Sequence, residues 1–364
     1  MRKKRVIVAM SGGVDSSVTA ALLKEQGYDV IGVTMNLWPQ ESLSPGPNRY
    51  ESCCGFRAIM DANKVATKLN IPHYVADFRE VFKKSVVEYF CKEYFEGRTP
   101  NPCVRCNQYV KFVALLERAQ KIGADFIATG HYARIVYDKK RRRYLLKKGI
   151  DPKKDQSYFL YTMTQEQLSK TLMPLGEFTK RKVREIARKL DLPVARRAES
   201  QEICFVPDND YPRFLEKMNP NLAKPGPIIN KKGEILGQHK GIIYYTIGQR
   251  KGLGISSEKP LYVISIDKKT NTIVVGNEEE VYRSEFVVEQ INWIVKEKME
   301  KPFIAKVKIR YIHPESEAEI TPVNNNLAYV KFLNPQRAIT PGQSAVFYDG
   351  DIVIGGGIIK EVKA

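Results

Sequence analysis

The sequence predicts an α/β protein: an N-terminal doubly wound parallel sheet, then a small β-rich middle domain and a C-terminal antiparallel β-barrel. Three observations predict it. As far as Gly130, short apolar β-branched runs alternate with amphipathic stretches, the pattern of a parallel sheet covered by helices. The first of these runs leads directly into a glycine- and serine-rich loop at the start of a helical stretch. From roughly Phe205 onward Pro and Gly become frequent and the apolar runs take hairpin spacing.

In order, Arg5 to Met10 (RVIVAM) reads as a buried strand, Val18 to Gln26 as a helix stopped at Gly27, and Val30 to Met35 as a second strand. A Pro/Ser/Asn-rich loop spans Asn36 to about Cys53, and a helix follows near Phe56 to Leu69. Strand-like His73 to Asp77, a helix ending near Tyr94, another from about Tyr109 to Lys121, and strand-like Asp125 to Thr129 continue the alternation. Ligands of such a sheet lie outside the carboxyl ends of its strands. A basic hairpin around Lys139 to Arg143 and a helix from Thr179 to Leu190 complete the first domain, placed at 1–204. Leu261 to Asp267 and Thr272 to Val275, joined by KKTN, form a hairpin in a middle domain at 205–279. Pro302 to Arg310, Leu327 to Leu333 and Ser344 to Tyr348 repeat that grammar in a barrel at 280–364.

The chain has 364 residues, 43% hydrophobic and 27% charged, which excludes disorder and a membrane protein. Lys+Arg number 59 against 41 Asp+Glu, a net charge of +18 that fits a polyanionic partner or a lysine-rich proteome. Six cysteines are too few and too clustered for a secreted disulfide framework, and no signal-peptide pattern precedes the first strand. The expected compartment is a reducing cytoplasm.

Between the first strand and first helix lies Ser11-Gly12-Gly13-Val14-Asp15-Ser16-Ser17. A glycine turn there lets backbone N–H groups approach a phosphate chain. Hydroxyls of Ser11, Ser16 and Ser17 can donate to phosphate oxygens, and Asp15 can help hold magnesium. A capped helix start would explain one serine, not this whole set. The loop is not a Walker A loop, since no lysine for β/γ-phosphates ends it, and it lacks GxGxxG.

Gly97-Arg98-Thr99-Pro100-Asn101-Pro102-Cys103-Val104-Arg105-Cys106-Asn107 is a proline-braced loop presenting two cysteines three residues apart. Arg105 is a cationic neighbour able to favour thiolate. Ser200-Gln201-Glu202-Ile203-Cys204-Phe205 offers another cysteine flanked by polar residues. Cys91 lies in a helical pattern and reads as core, while vicinal Cys53-Cys54 stays ambiguous.

The first loop resembles that of the pyrophosphatase-loop ATP enzymes, in which SGGVDS cradles pyrophosphate while the α-phosphorus is attacked. That resemblance implies adenylation, with nucleotide contacts at Ala9, Met10, Ser11, Gly12, Gly13, Val14, Asp15 and Ser16, at Met35 for the adenine, and at Gly130. Together with GRTPNP followed by CN, ATGHYAR, KDQSYFL, ICF, TIGQRKGLG and TPGQSAVFY, in order from residue 6 to near 358, the chain is similar to the bacterial tRNA-specific 2-thiouridylase family. The family's chemistry implies ATP-dependent replacement of the carbon-2 oxygen of the wobble uridine by sulfur in lysine, glutamate and glutamine tRNAs. It implies Cys106 as nucleophile and Cys204 as persulfide carrier, closing a disulfide on turnover. Asn101, Pro102 and Cys103 would meet the target base; His131, Lys154, Asp155, Gln156, Arg310, Tyr311 and Gln343 would meet the tRNA.

Tyr244, Tyr245 and Gln249-Arg250-Lys251 add groups suited to stacking and phosphate contact. RKVREIARK and the KKRRR turn read as solvated faces along the tRNA path. One departure matters: many relatives carry aspartate where this chain has Cys103. With Cys106 and Cys204 it makes a three-thiolate set suited to a 4Fe–4S cluster with one iron open to sulfide; a resolving thiol is the alternative. The sulfur donor is correspondingly a cysteine desulfurase or relay protein, or inorganic sulfide. Two other readings remain open, a glutaminase-fed ligase on a small metabolite and a non-catalytic RNA-binding module; the intact loop with two placed cysteines argues against the second.

Overall fold

A computed structural model describes residues 2–38, 55–198, 203–206, 210–219 and 223–363. Cys53, Cys54 and Ser200 to Glu202 lie outside the described residues. The expected three-part architecture is present.

The first sheet has the order β3-β2-β1-β4-β7, all parallel, from β1 (Arg5–Ala9), β2 (Asp29–Asn36), β3 (His73–Asp77), β4 (Phe126–Ala128) and β7 (Thr171–Leu172). Side chains alternate across β1: Ile7 and Ala9 enter one core, Val6 and Val8 another, as the two-residue strand period requires. The strand order turns at β1, so the carboxyl end of β1 opens the crevice where ligands of this topology sit. Helices α1 (Val14–Glu25) and α2 (Phe56–Lys68) follow β1 and β2. Beyond β3 the chain runs through α3 (Arg79–Phe82), a π-helical stretch (Lys83–Val87) and α4 (Glu88–Phe95).

The helix expected from Tyr109 begins at Pro102 instead, as α5 (Pro102–Arg105), a π-helical stretch (Cys106–Ala114) and α6 (Leu115–Lys121). The earlier start has a local cause: Asn101 caps α5, and Pro102 occupies the first turn, where its missing N–H costs nothing. The hairpin of β5 (Ala133–Asp138) and β6 (Arg143–Lys148) follows, then α7 (Gln165–Ser169) and α8 (Lys180–Lys189).

After α9 (Tyr211–Met218), β8 (Gly226–Ile229), β9 (Ile235–His239), β10 (Tyr262–Asp267) and β11 (Thr272–Gly276) build a second sheet in the order β10-β11-β8-β9. Strands β12 (Tyr282–Trp293), β13 (Phe303–Lys308), β14 (Ser316–Asn324), β15 (Leu327–Arg337), β16 (Ser344–Asp349) and β17 (Ile352–Val362) form the third. Its order β12-β15-β14-β13-β16-β17 closes through antiparallel β12–β17 pairing, around Phe286, Val307, Val330, Phe347 and Ile359. The basic hairpin does not stand apart: β6 pairs with β17 at Lys147↔Ile352, continuing the barrel sheet into the first domain.

Strand β17 carries Gly355-Gly356-Gly357. In the fold it is where the barrel meets its neighbours. A Cβ on Gly356 would lie 2.8 Å from the Ala345 carbonyl and 2.9 Å from the Tyr161 ring. Gly356→Val should therefore destabilise the protein by about 1–3 kcal/mol through overpacking, read as a lowered denaturant midpoint with unchanged slope.

Candidate active site

The loop after β1 is shaped by contact with α2. Gly12 takes φ +69°, and a Cβ there would come 2.3 Å from the Ala58 carbonyl, so the position admits only glycine. Gly13 is the N-cap of α1 and offers no side-chain cap, which leaves the first-turn N–H groups open to an anion. The serines divide their work differently from expectation. Ser17 is buried and its hydroxyl donates to Gly13 O at 2.8 Å. Ser16 is also buried, donating to Gly13 O at 3.2 Å and accepting from Ser11 N. Both hold the loop's own backbone, and Ser11 is the exposed hydroxyl. Ala9, Met10 and Val14 are buried in the cores, with Met10 N donating to Val33 O and Met10 O accepting from Thr34. Their side chains build the loop's base.

Asp15 is where sequence reasoning missed a partner. Its carboxylate accepts from Lys180 Nζ at 2.8 and 2.7 Å and from the Tyr132 hydroxyl at 2.7 Å. Lys180 opens α8, with a side chain only 11% exposed, although the RKVREIARK stretch beside it reads as a solvated face. The outward residue Arg181 does match that reading, at 91% exposed. Arg197 adds a second cation, donating to Gly12 O at 2.9 Å and pairing with Asp61 at 2.6 Å. Thus a lysine from far along the chain stands at the loop's aspartate. The available signal was Thr179, a helix N-cap, placing Lys180 at the start of an amphipathic helix.

Gly130 lies directly over this loop: a Cβ would meet Asp15 C and Ser16 N at 2.9 Å. The next residues bind KDQ to the same network, since Tyr132 N donates to Gln156 Oε1 and Gln156 N to Tyr132 O. Met35, half-buried, is the next-to-last residue of β2 and packs against the first core.

In the cysteine loop, Asn101 Oδ1 accepts from Cys103 N at 3.1 Å and Val104 N at 3.4 Å, so the oxygen expected at the target base serves as a helix cap. Pro102 is buried, Cys103 exposed and Cys106 buried. Cys106 belongs to the hydrophobic cluster that Cys204 and Met35 also pack against. Arg105 is turned between Tyr89 and Tyr109, 4.1 and 4.4 Å from their ring centroids, a cation–π sandwich. Cys204 is positioned by Phe205, whose ring lies 5.3 to 6.4 Å from those of Phe90, Phe214, Phe82 and Trp38. Cys91 is core as expected, and burial pushes its thiol up to about 11. Among the described residues no group of three His, Cys, Asp or Glu stands together as a metal site, so Cys103, Cys106 and Cys204 are not gathered as cluster ligands.

Several residues expected at the RNA are internal. His131 is buried, bonded through Nδ1 to Thr129 Oγ1 at 2.8 Å, and burial lowers its pKa well below the usual value, leaving it neutral. Asp155 is buried and accepts from Gly149 N, Ser157 N and Ser157 Oγ, holding its own turn. Tyr245 is core, and Tyr244 bonds Glu216. Lys154, Gln156, Arg310, Tyr311 and Gln343 are partly exposed. Arg310 donates to Arg337 O at 3.2 Å; Tyr311 packs 4.4 Å from the Phe159 ring. The Phe159 carbonyl in turn accepts from Asn107, the residue after Cys106. Barrel and cysteine helix therefore meet through Phe159.

The fold and its phosphate loop define a nucleotide-binding α/β protein with two β modules attached. Three family models match in sequence: the tRNA methyl transferase HUP domain over residues 4–208, the tRNA methyl transferase PRC-barrel domain over 213–277, and the aminomethyltransferase beta-barrel domain over 283–359. Full-length relatives include a protein named tRNA-specific 2-thiouridylase MnmA 1 from Caldanaerobacter subterraneus subsp. tengcongensis, 56% identical over 98% of each chain. Those named tRNA-specific 2-thiouridylase MnmA from Acetivibrio thermocellus and Clostridium perfringens are 54% identical over 99% of this chain and 100% of the relative, and 51% identical over 100% of both. The chain belongs to the tRNA-specific 2-thiouridylase family. No helix among the described residues is long and apolar enough to cross a membrane.

Phe205→Ala should remove the centre of the aromatic cluster, at a cost of about 3–5 kcal/mol, and raise the alkylation rate of Cys204 relative to buried Cys91. Thermal melts and mass-resolved labelling check both effects.

Proposed function

We propose that this chain is a tRNA uridine 2-sulfurtransferase that activates the carbon-2 oxygen of the wobble uridine with ATP and replaces it with sulfur from a protein persulfide. The observation that carries this reading is that Cys106 lies in, and Cys204 and Met35 pack against, the same hydrophobic core of the sheet that bears the phosphate loop.

An amide-like oxygen leaves poorly, so it must first be made into a phosphate ester. The uridine oxygen attacks the α-phosphorus, pyrophosphate leaves, and the loop's N–H groups with Lys180 stabilise the charge that develops on it. Lys180, held by Asp15 against Tyr132, is preorganised for this. The terminal sulfur of a Cys204 persulfide then attacks carbon 2 and expels AMP. Cys106 thiolate attacks the Cys204 sulfur, which releases 2-thiouridine and leaves a Cys106–Cys204 disulfide. An external dithiol supplies the two electrons that reopen it, and a cysteine desulfurase or relay protein recharges Cys204.

Magnesium would travel with the nucleotide's phosphates; Asp15, committed to Lys180 and Tyr132, does not fit as a dedicated ligand. The cluster route has no support in the placement of the three thiols, with Cys103 exposed and Cys106 buried. Lys154, Gln156, Arg310 and Tyr311 form the partly exposed surface offered to the RNA, suited to phosphate contact and stacking. The lysine, glutamate and glutamine tRNAs are the proposed substrates.

Lys180→Ala should slow pyrophosphate release by about 10²–10³-fold while tRNA affinity is kept, with part of the rate restored by Lys180→Arg. Unchanged pyrophosphate release would remove Lys180 from the activation step. Cys106→Ser and Cys204→Ser should each abolish 2-thiouridine yet keep ATP binding, whereas Cys103→Ser should thiolate within about threefold of the parent with a desulfurase as donor. An iron-containing protein inactivated by Cys103→Ser would overturn the persulfide route in favour of the cluster, and ADP as the main product would overturn adenylation.

A further inference from the structure

The peptide between Gly12 and Gly13 lies at the turn of the phosphate loop, and it joins two residues that have no side chain to fix its orientation. In a trans peptide the carbonyl and the N–H point in opposite directions, so the direction of Gly12 O decides that of Gly13 N–H. The carbonyl is taken up by Arg197, whose Nη1 donates to Gly12 O at 2.9 Å and to Asp61 Oδ2 at 2.6 Å. Both side chains are largely buried, at 13% and 18% exposed. Asp61 lies one turn beyond Ala58 on α2, and the Ala58 carbonyl is what leaves no room for a Cβ at Gly12. The root of Arg197 is fixed as well. Its N–H donates to Val194 O at 2.9 Å, its carbonyl accepts from Arg184 Nη1 at 3.3 Å, and Val194 is buried in the second core.

We infer that Arg197 is a positioning residue for the phosphate loop: with Asp61 it holds the Gly12 carbonyl aside, which keeps the Gly13 N–H turned toward a bound phosphate. A freed Gly–Gly peptide can turn over at little steric cost, and the turned peptide would set a carbonyl oxygen against the phosphate where a donor is needed. An arginine suits this place, because one guanidinium nitrogen carries two hydrogens and serves carbonyl and carboxylate together. Asp61 keeps that nitrogen in place. Its charge has the wrong sign for a phosphate site, so electrostatics alone makes removal of Asp61 a gain in anion binding. The positioning role reverses that sign: without Asp61 the guanidinium loses its hold, and the anion binds more weakly. The Lys180–Asp15 pair acts elsewhere, since it grips the loop by the side chain at position 15, whereas Arg197 and Asp61 hold its backbone at position 12.

This inference rests on the proposed use of the loop for the phosphates of ATP, and its test separates the two. Arg197→Met, Asp61→Ala and the double variant, which removes the buried pair altogether and so leaves no unpaired charge, are compared with the parent. The measurements are binding of inorganic pyrophosphate, ATP and adenosine, the denaturant midpoint, and 2-thiouridine formation. The expected result is a loss of pyrophosphate and ATP affinity of about ten- to hundredfold in all three variants, the worth of one charge-assisted hydrogen bond, with adenosine affinity kept within about twofold. The double variant should bind ATP within about twofold of Arg197→Met, because the two side chains act as one unit. Pyrophosphate held by Asp61→Ala as tightly as by the parent, or more tightly, would overturn the inference and make Arg197 a phosphate ligand that Asp61 restrains. Adenosine affinity falling in step with ATP affinity would also overturn it, by showing a general loosening of the domain. A parent that binds ATP yet forms no 2-thiouridine fails the functional reading alone, and the ratio of ATP to adenosine affinity still decides the role of Arg197.

Discussion

A lysine that is nine-tenths buried cannot stay charged without an anion at hand, and in this protein the anion is Asp15. The pair joins the first turn of α1 to the first residue of α8, which lies 165 positions further on. Because Tyr132 donates to the same carboxylate and exchanges backbone bonds with Gln156, three segments share one polar network: the phosphate loop, the turn after Gly130, and KDQ. The glycine matters to the geometry, since any side chain at position 130 would strike the Asp15–Ser16 peptide. The KDQ segment is in this way set in register with the nucleotide loop by a single carboxylate. The same pairing holds a cation beside the glycine turn, and preorganised charge of that kind is the largest stabilisation available to a site of phosphate chemistry.

A second constraint governs the sulfur side. Modules within one chain usually move relative to one another unless their interface is extensive. Here the interface includes backbone-to-backbone bonding at Thr99, pairing of β6 with β17, and an ion-pair group in which Arg98 meets Glu93 at 2.8 Å and Glu289 of β12 at 3.2 Å. Burial raises the Glu93 pKa, and the Arg98 charge opposes that rise. Tyr158 and Tyr161 extend the same seam into Ser344. The barrel is thus the back wall of the cysteine loop, and its contribution to chemistry is geometric as well as electrostatic.

Much of this was legible in the sequence where the signal is local. The alternation of β1, β2, β3 and β4 with helices, the hairpin of β10 and β11, and the core position of Cys91 follow from periodicity and turn chemistry. What escaped is non-local. Lys180 looks like one more charge on a basic helix, because nothing in its neighbourhood records that the helix points its first residue at Asp15. His131 and Asp155 sit in motifs that meet RNA by resemblance, but His131 is buried against the Thr129 hydroxyl and Asp155 holds the backbone N–H groups of Gly149 and Ser157. The early start of α5 was hidden by the two prolines, which read as loop even though Pro102 behind an Asn cap is a helix signal. Strand β17 was hidden by its three glycines, whose reason, close approach to Ala345, Tyr161 and Asn292, exists only in the closed barrel.

The two halves of the site differ in their relation to water, and the difference fits the order of the chemistry. The phosphate loop presents exposed Ser11 and open helix N–H groups, as a charged nucleotide requires on arrival. Cys106 lies among Phe, Leu and Val side chains, at the start of a π-helical stretch. Such stretches are rare and occur frequently at functional sites. A buried thiol is slow to oxidise, and an adenylated base that meets sulfur away from solvent is protected from hydrolysis back to uridine. The segment between the wet and the dry half is Gly97 to Arg105, and it is there that all three modules make contact. Placing the shared restraint on that segment, instead of on either half, leaves Ser11 open to solvent while Cys106 stays buried.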